Sequence, residues 1–500
     1  MTNEQRYDLM VRGGTVYDGS GAPGIRADVG VRGDRIVAVG DVPQRGGLEL
    51  DATGLAVTPG FIDVHSHDDF AVLLEPEMSF KVMQGVTTDV VGNCGLGVVP
   101  FETALRAFRG MAPGADPPPW DSFTGYLRRV DETGPSCNVA VLVGHGSLRT
   151  GAMGAEQRAS RHDELERMRA WVREGVEAGA VGLSTGLIYE PGRYAGTEEV
   201  IALARELGPA GGLYATHMRN EADGLLDAVA EAIRIGEASG VPVQISHHKA
   251  SGQDNWGKVR GSLRLIDEAR ARGLDVTADQ YPYTAGSTLL KAVADNGAFR
   301  SDSPGGGVGH LPAAQVLIAS APAHREWEGR RLAELGERWG LDDESAARRV
   351  LEAEGEACFV IVFSMDEADV RTVMAHPTTM IGSDGVPAAG SKPHPRLYGC
   401  FPRVLGHYVR DERVLDLATA VHRMTGMPAA KFRLADRGVI RPGAFADLVV
   451  FDPARIRDAA TYDDPRRFPE GIRAVYVNGT AVARDGVHTG ARPGRALRRG

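Results

Sequence analysis

Eight short apolar runs recur along the middle of the chain, at residues 61–65, 86–91, 138–144, 180–184, 213–216, 242–246, 274–279 and 379–382. Stretches with helical periodicity separate them, most clearly Glu164 to Ala178 and Ala222 to Ala238. Unbroken apolar runs suit strands covered on both faces, as in parallel sheets whose crossovers are helices. Strand-helix alternation with about eight strands over this length predicts an α/β fold, a (β/α)8 TIM barrel. A further run, Phe359 to Phe363, gives one strand more than a barrel needs.

The two ends read differently. Leu9-Met10-Val11, Thr15-Val16-Tyr17, Val29-Gly30-Val31 and Arg35 to Val39 are short, rich in β-branched residues and bounded by Gly or Asp. Ala446 to Phe451 and Ala474 to Val477 repeat this character, and the second runs into an Asn478-Gly479 turn. Residues 1–58 and 416–485 are therefore expected to form one small sheet domain around a barrel at 59–415. Residues 285–350 interrupt the alternation with Ser303-Pro304-Gly305-Gly306-Gly307 and two polar helices, 324–338 and 343–353. They are expected as an inserted lid over the site. Residues 486–500, rich in Arg and Gly, are expected to be a loose tail.

Charge and cysteine content narrow the partners. A formal charge of −10 argues against nucleic acid or an anionic membrane surface. Four scattered cysteines make no disulfide framework, which predicts a reducing cytoplasm. The first residues, Met1 to Tyr7, hold no apolar signal core, and no run of about 18 apolar residues appears.

The residues that end these strands carry the chemistry. His65 and His67 end the first, Cys94 follows the second, His217 ends the fifth, His247 ends the sixth and Asp384 ends the last. Two residues spaced by two on a strand share a face, so His65 and His67 aim together. With 14 histidines in the chain, such a pair has little weight by itself. A lone buried cysteine is usually a small hydrophobe. Barrel sites, however, form at the carboxyl ends of the strands, where these six groups would converge. Imidazoles, a thiolate and a carboxylate make a ligand set suited to zinc.

His65-Ser66-His67, Gly92-Asn93-Cys94-Gly95, Tyr214 to Arg219, Ser246-His247-His248-Lys249 and Gly382-Ser383-Asp384-Gly385 resemble the zinc-dependent N-acyl-D-amino-acid deacylases (D-aminoacylases) of the amidohydrolase superfamily. The resemblance extends to Ala446 to Phe451 and so covers almost the whole chain. It implies a distorted barrel flanked by a β-sandwich, and hydrolysis of N-acyl-D-amino acids to a carboxylate and a free D-amino acid. It implies a tightly held zinc on Cys94, His217 and His247, a second, weaker position at His65 and His67, and Asp384 as catalytic base. Relatives that carry a carboxylated lysine place it on the fourth strand. The corresponding run, Val181 to Gly186, has no lysine, and a Cys94 thiolate would supply the missing charge. His248 would point to the opposite strand face from His247, a structural position.

A substrate carboxylate needs cationic and hydroxyl partners. Lys249, Tyr281, Ser287 and Arg396 match the family's carboxylate-binding residues, and Tyr189 is placed on the acyl side. No additional arginine is assignable to an acidic side chain, so broad or apolar D-amino acids are expected. The competing readings are a cyclic amidohydrolase of the hydantoinase or dihydroorotase type, and a non-catalytic scaffold on the same fold. The absent fourth-strand lysine argues against the first, and the complete ligand set against the second. Neither oligomeric state nor handedness of the substrate is written in residue spacing.

Overall fold

The computed structural model describes residues 6–111, 116–300, 306–387 and 390–499. Met1 to Gln5 and Ser303 to Gly305, which enter the expectations above, lie outside the described residues. Eight strands run in sequence order around a barrel: Phe61–Asp63, Val86–Val91, Asn138–Gly144, Gly182–Gly186, Leu213–His217, Val243–Ile245, Val276–Gln280 and Thr379–Ile381. Each pairs with the next in parallel register. The first and eighth strands form no such ladder; a single parallel bridge, Ser66 with Gly385, closes the ring at its mouth.

The apolar runs are continuous because both strand faces are covered. Ile62, Val64, Val90, Leu142, Leu213 and Met380 fill the barrel interior, which Ala429, Phe432 and Leu434 cap from below. The alternate residues, such as Val91, Val141, Tyr214 and Val243, pack outward in the core shared with the helices.

The sheet domain comes from both ends of the chain, as its composition predicts. Nine strands share one sheet. Tyr7–Val16 pairs first with Gly46–Asp51 and then, past an irregularity between Val11 and Gly14, with Ala56–Pro59. That change of partner folds the sheet over its own core of Leu9, Val29, Val57, Leu448 and Val450. Asn478 and Gly479 both have positive φ, 48° and 79°, as a two-residue type I′ hairpin requires. The C-terminal share of this sheet starts at Leu448 rather than near 416. The helices Leu417–Met424 and Gly426–Lys431 belong to the barrel, where Ala429 joins its floor.

The insertion is longer than its polar helices suggest. Gly286–Leu289, Val316–Ser320 and Phe359–Val362 form an antiparallel three-stranded sheet with a separate core. The surplus strand is therefore part of the insertion, which runs to about residue 363 instead of 350. The expected helix 324–338 is regular only over Leu332–Trp339. Gly329, at φ 82°, turns the preceding chain back onto the strand Val316–Ser320 through bonds between Ile318 and both Gly329 and Arg330.

The last residues are not loose. Val139 donates its amide to Arg495, Leu497 donates to Val139 and Arg499 donates to Gly179, so the segment adds main-chain pairing beneath the barrel. Ala496 is buried there, and Leu497 packs against the barrel floor. No helix among the described residues is long and apolar enough to cross a membrane.

Candidate metal centre and active site

The loop after the second strand lifts Cys94 over the barrel mouth. Gly92 turns the chain at φ 84°, where an added Cβ would lie 2.3 Å from the Leu142 carbonyl oxygen. Asn93 then donates its side-chain amide to the Val90 and Ser66 carbonyls and clamps the loop down. Cys94 itself has φ 53°, His247 φ 35° and Asp384 φ 50°. Three non-glycine residues of one site in the left-handed region is unusual, and such strain clusters where function over-determines the backbone.

The Cys94 Sγ lies 3.3 Å from His65 Nε2, 3.7 Å from His217 Nδ1 and 3.5 Å from His247 Nε2. Zinc bonds of about 2.3 Å to sulfur and about 2.0–2.1 Å to nitrogen, at tetrahedral angles, put those atoms about 3.6 Å apart. The spacing therefore matches the edges of a zinc tetrahedron. His65 with His67 and Cys94, and His65 with His247 and Asp384, are also grouped closely enough to hold an ion. His65 and His217 turn Nε2 and Nδ1 towards the sulfur, while their other ring nitrogens and His67 Nδ1 are buried with no hydrogen-bond partner. Burial would raise the Cys94 thiol, but the neighbouring imidazoles of His65 and His247 hold it well below its ordinary range. The thiolate is the form in which a cysteine binds a metal.

Asp384 faces this cluster from the eighth strand. Its Oδ1 is 3.2 Å from His67 Nε2 and 3.5 Å from His65 Nε2, and its Oδ2 is 2.8 Å from the Arg396 guanidinium. Burial acts to raise its pKa, but Arg396 and then His247 overcome that and hold the carboxyl well below the usual range.

Two carboxylates that strand-end reading missed support the ligands. Glu221 Oε1 lies 3.0 Å from His247 Nδ1, 3.8 Å from His217 Nε2 and 2.6 Å from Lys249 Nζ. Burial opposes its charge, yet Lys249 and both imidazoles keep it ionised. Asp279 accepts from the His247 amide at 2.8 Å and sits 3.4 Å from His65 Nδ1. Carboxylates behind ligating imidazoles fix ring orientation and raise basicity. His217 and Glu221 are four residues apart, and that spacing was the available signal. His248 points away from the mouth, bonds Ser262 and is pushed down to about 4 by burial.

Lys249, Tyr281, Ser287 and Tyr189 all line the cleft above the cluster. The Tyr189 ring lies 4.7 Å from that of His217, and its hydroxyl reaches Thr288. Arg396 has no exposed surface. It lies 4.4 Å over the Tyr281 ring, behind Asp384, instead of on the cleft wall. Val293, Val308, Leu311 and Val362 of the insertion, together with Ile188, give the cleft an apolar share of its lining.

A barrel with this ligand set at its mouth defines a metal-dependent hydrolase of the amidohydrolase family. The chain belongs to that family, whose model matches residues 48–483. The D-aminoacylase of Alcaligenes xylosoxydans xylosoxydans is 43% identical, over 100% of this chain and 99% of its own length. The N-acyl-D-glutamate deacylase of Bordetella bronchiseptica, solved with zinc and a phosphonate mimic of the tetrahedral intermediate, is 40% identical with a TM-score of 0.89. That match covers 99% of this chain and all of the other. A D-aminoacylase structure reporting a binuclear metal centre, with one-metal activation and second-metal attenuation, is 42% identical with a TM-score of 0.88. It likewise covers 99% of this chain and 100% of its own.

Proposed function

We infer that this chain is a zinc-dependent N-acyl-D-amino-acid deacylase, hydrolysing a linear amide to a carboxylate and a free D-amino acid. The observation that carries the reading is the convergence of Cys94 Sγ with three imidazoles at 3.3–3.7 Å, beside an ionised Asp384. Whole-length identity to a D-aminoacylase supports the substrate class. Cys94, His217 and His247 would hold the tight zinc, with His65 and His67 at a second, weaker position. Zinc bound there supplies Lewis acidity towards a carbonyl and acidifies water.

The chain's own groups supply the rest. Asp384 accepts the proton of the attacking water and passes it to the amide nitrogen, which leaves poorly unless protonated. Arg396 keeps that carboxylate charged and holds its second oxygen, leaving Oδ1 towards the histidines. Lys249, Tyr281 and Ser287 meet the substrate carboxylate, and Tyr189 borders the acyl group. A cyclic amidohydrolase is disfavoured because the fourth strand, Gly182–Gly186, carries no lysine and the thiolate takes the anionic position.

The side-chain preference follows from charge. Among the described residues, the only ammonium or guanidinium group on the cleft wall is that of Lys249. One cation serves the α-carboxylate and leaves none for an acidic side chain, which would face Val293, Leu311 and Val362. Zinc-supplemented assays on N-acetyl-D- and L-leucine, -methionine, -aspartate and -glutamate test this directly. Turnover of the apolar D-compounds is expected, with at least about tenfold lower kcat/KM for the acidic ones, because an unpaired buried charge costs more than 1.4 kcal/mol. Lys249→Met should raise KM for N-acetyl-D-leucine and leave that of its uncharged amide nearly unchanged. Equal rates on L-compounds, or a preference for acidic ones, would contradict the reading.

A further inference from the structure

The barrel has one seam without a ladder, between its first and eighth strands, and the site sits on it. His65 and His67 leave one side of the seam and Asp384 leaves the other. Among the described residues, two main-chain bonds at the mouth join them, Asp384 to the His65 carbonyl at 2.7 Å and His67 to the Gly385 carbonyl at 3.0 Å. Beneath these bonds lies Lys81, on the short helix Ser79–Val82, with no exposed surface.

We infer that Lys81 is a positioning residue for the reaction: its ammonium ties the two sides of the seam together and so sets Asp384 against the metal ligands. The inference rests on the reading of Asp384 as general base. Lys81 Nζ is 2.5 Å from Asp63 Oδ2, 3.0 Å from Asp68 Oδ2 and 3.0 Å from Ser383 Oγ. These partners are two residues before His65, one after His67 and one before Asp384. One cation thus brackets all three functional side chains through their chain neighbours. The contacts continue into the backbone. Asp63 Oδ1 accepts from the amides of Ser383 at 2.8 Å and His65 at 3.3 Å, and Ser383 Oγ accepts from the Gly385 amide at 3.0 Å. The flanks of Asp384 are held from below, which its left-handed conformation demands. Elsewhere in the barrel regular strand pairing fixes neighbouring strand ends; here ionic and hydroxyl contacts replace it.

The experiment compares Ser383→Ala, Lys81→Met and Asp384→Asn as zinc-loaded, full-length proteins. For Ser383→Ala, kcat is expected to fall by roughly 10- to 100-fold, the usual effect of about 1 Å of misplacement. KM and tight-site zinc content should stay near wild type, and the Asp384 amide should exchange faster with solvent. Lys81→Met should show the same pattern more strongly. That variant strips the buried carboxylates of Asp63, Asp68 and, at 3.6 Å, Asp89 of their cation; if it fails to fold, Ser383→Ala decides alone, because it leaves every charge in place. Wild-type kcat in Ser383→Ala, or a loss explained by KM or zinc content, overturns the inference. An active Asp384→Asn enzyme would instead sink the general-base reading, whereas an inactive one beside wild-type-like seam variants sinks this inference alone.

Discussion

Asp384→Asn is expected to keep the tight zinc and lose turnover by roughly 10²- to 10⁴-fold, the range for a general acid-base group. The substitution preserves shape, so Cys94, His217 and His247 are expected to stay in place, none of them being hydrogen-bonded to the Asp384 carboxylate. It removes the one group on the eighth strand able to take a proton from water and return it to nitrogen. Arg396, wholly buried at 2.8 Å, loses its counter-charge, so the variant should also be less stable, with breaking a buried pair costing about 3–5 kcal/mol. Thermal unfolding separates that cost from the chemical one, because kcat on folded, zinc-loaded enzyme reports only the second. Retention of more than about a tenth of wild-type kcat would contradict a proton-transfer role of this size.

Cys94→Ala should abolish the tight site. Loss of a partner behind a zinc ligand already weakens binding by about 10- to 100-fold, and Cys94 is itself the anionic ligand, so the loss should exceed about 100-fold. Its sulfur also lies within 3.7 Å of all three imidazoles, His65, His217 and His247. Removing it leaves the imidazoles without the anion they surround. Metal analysis after gel filtration, together with activity titrated against added zinc, checks the expectation. Stoichiometric zinc retained through gel filtration, or wild-type activity at trace zinc, would show that the anchor lies elsewhere.

The barrel and the ligands were legible for the same reason. Strands covered on both faces leave unbroken apolar runs, and groups at their carboxyl ends must meet, so Cys94, His217 and His247 could be grouped before any geometry. What periodicity could not show was assignment. Phe359 to Val362 has the composition of a barrel strand and pairs instead within the insertion. Ala496 and Leu497 sit among arginines and glycines, and their main-chain pairing beneath Val139 leaves no trace in side-chain pattern. Helix Leu417–Met424 was grouped with the sheet because nothing in its sequence says which core it covers. Supporting charges were the least visible. Glu221, Asp279 and Lys81 are single ionisable residues, and each has a partner that no local spacing announces, such as His247 for Glu221 and Ser383, 302 positions on, for Lys81. Arg396 was visible as a candidate cation, but its complete burial against Asp384, twelve residues earlier, was not.

The central claim is that a thiolate and imidazoles from separate strand ends share one ion. X-ray absorption at the zinc edge of the metal-loaded protein tests it most directly. One sulfur at about 2.3 Å with nitrogens at about 2.0–2.1 Å is the predicted first shell. A shell made of nitrogen and oxygen alone would contradict the account.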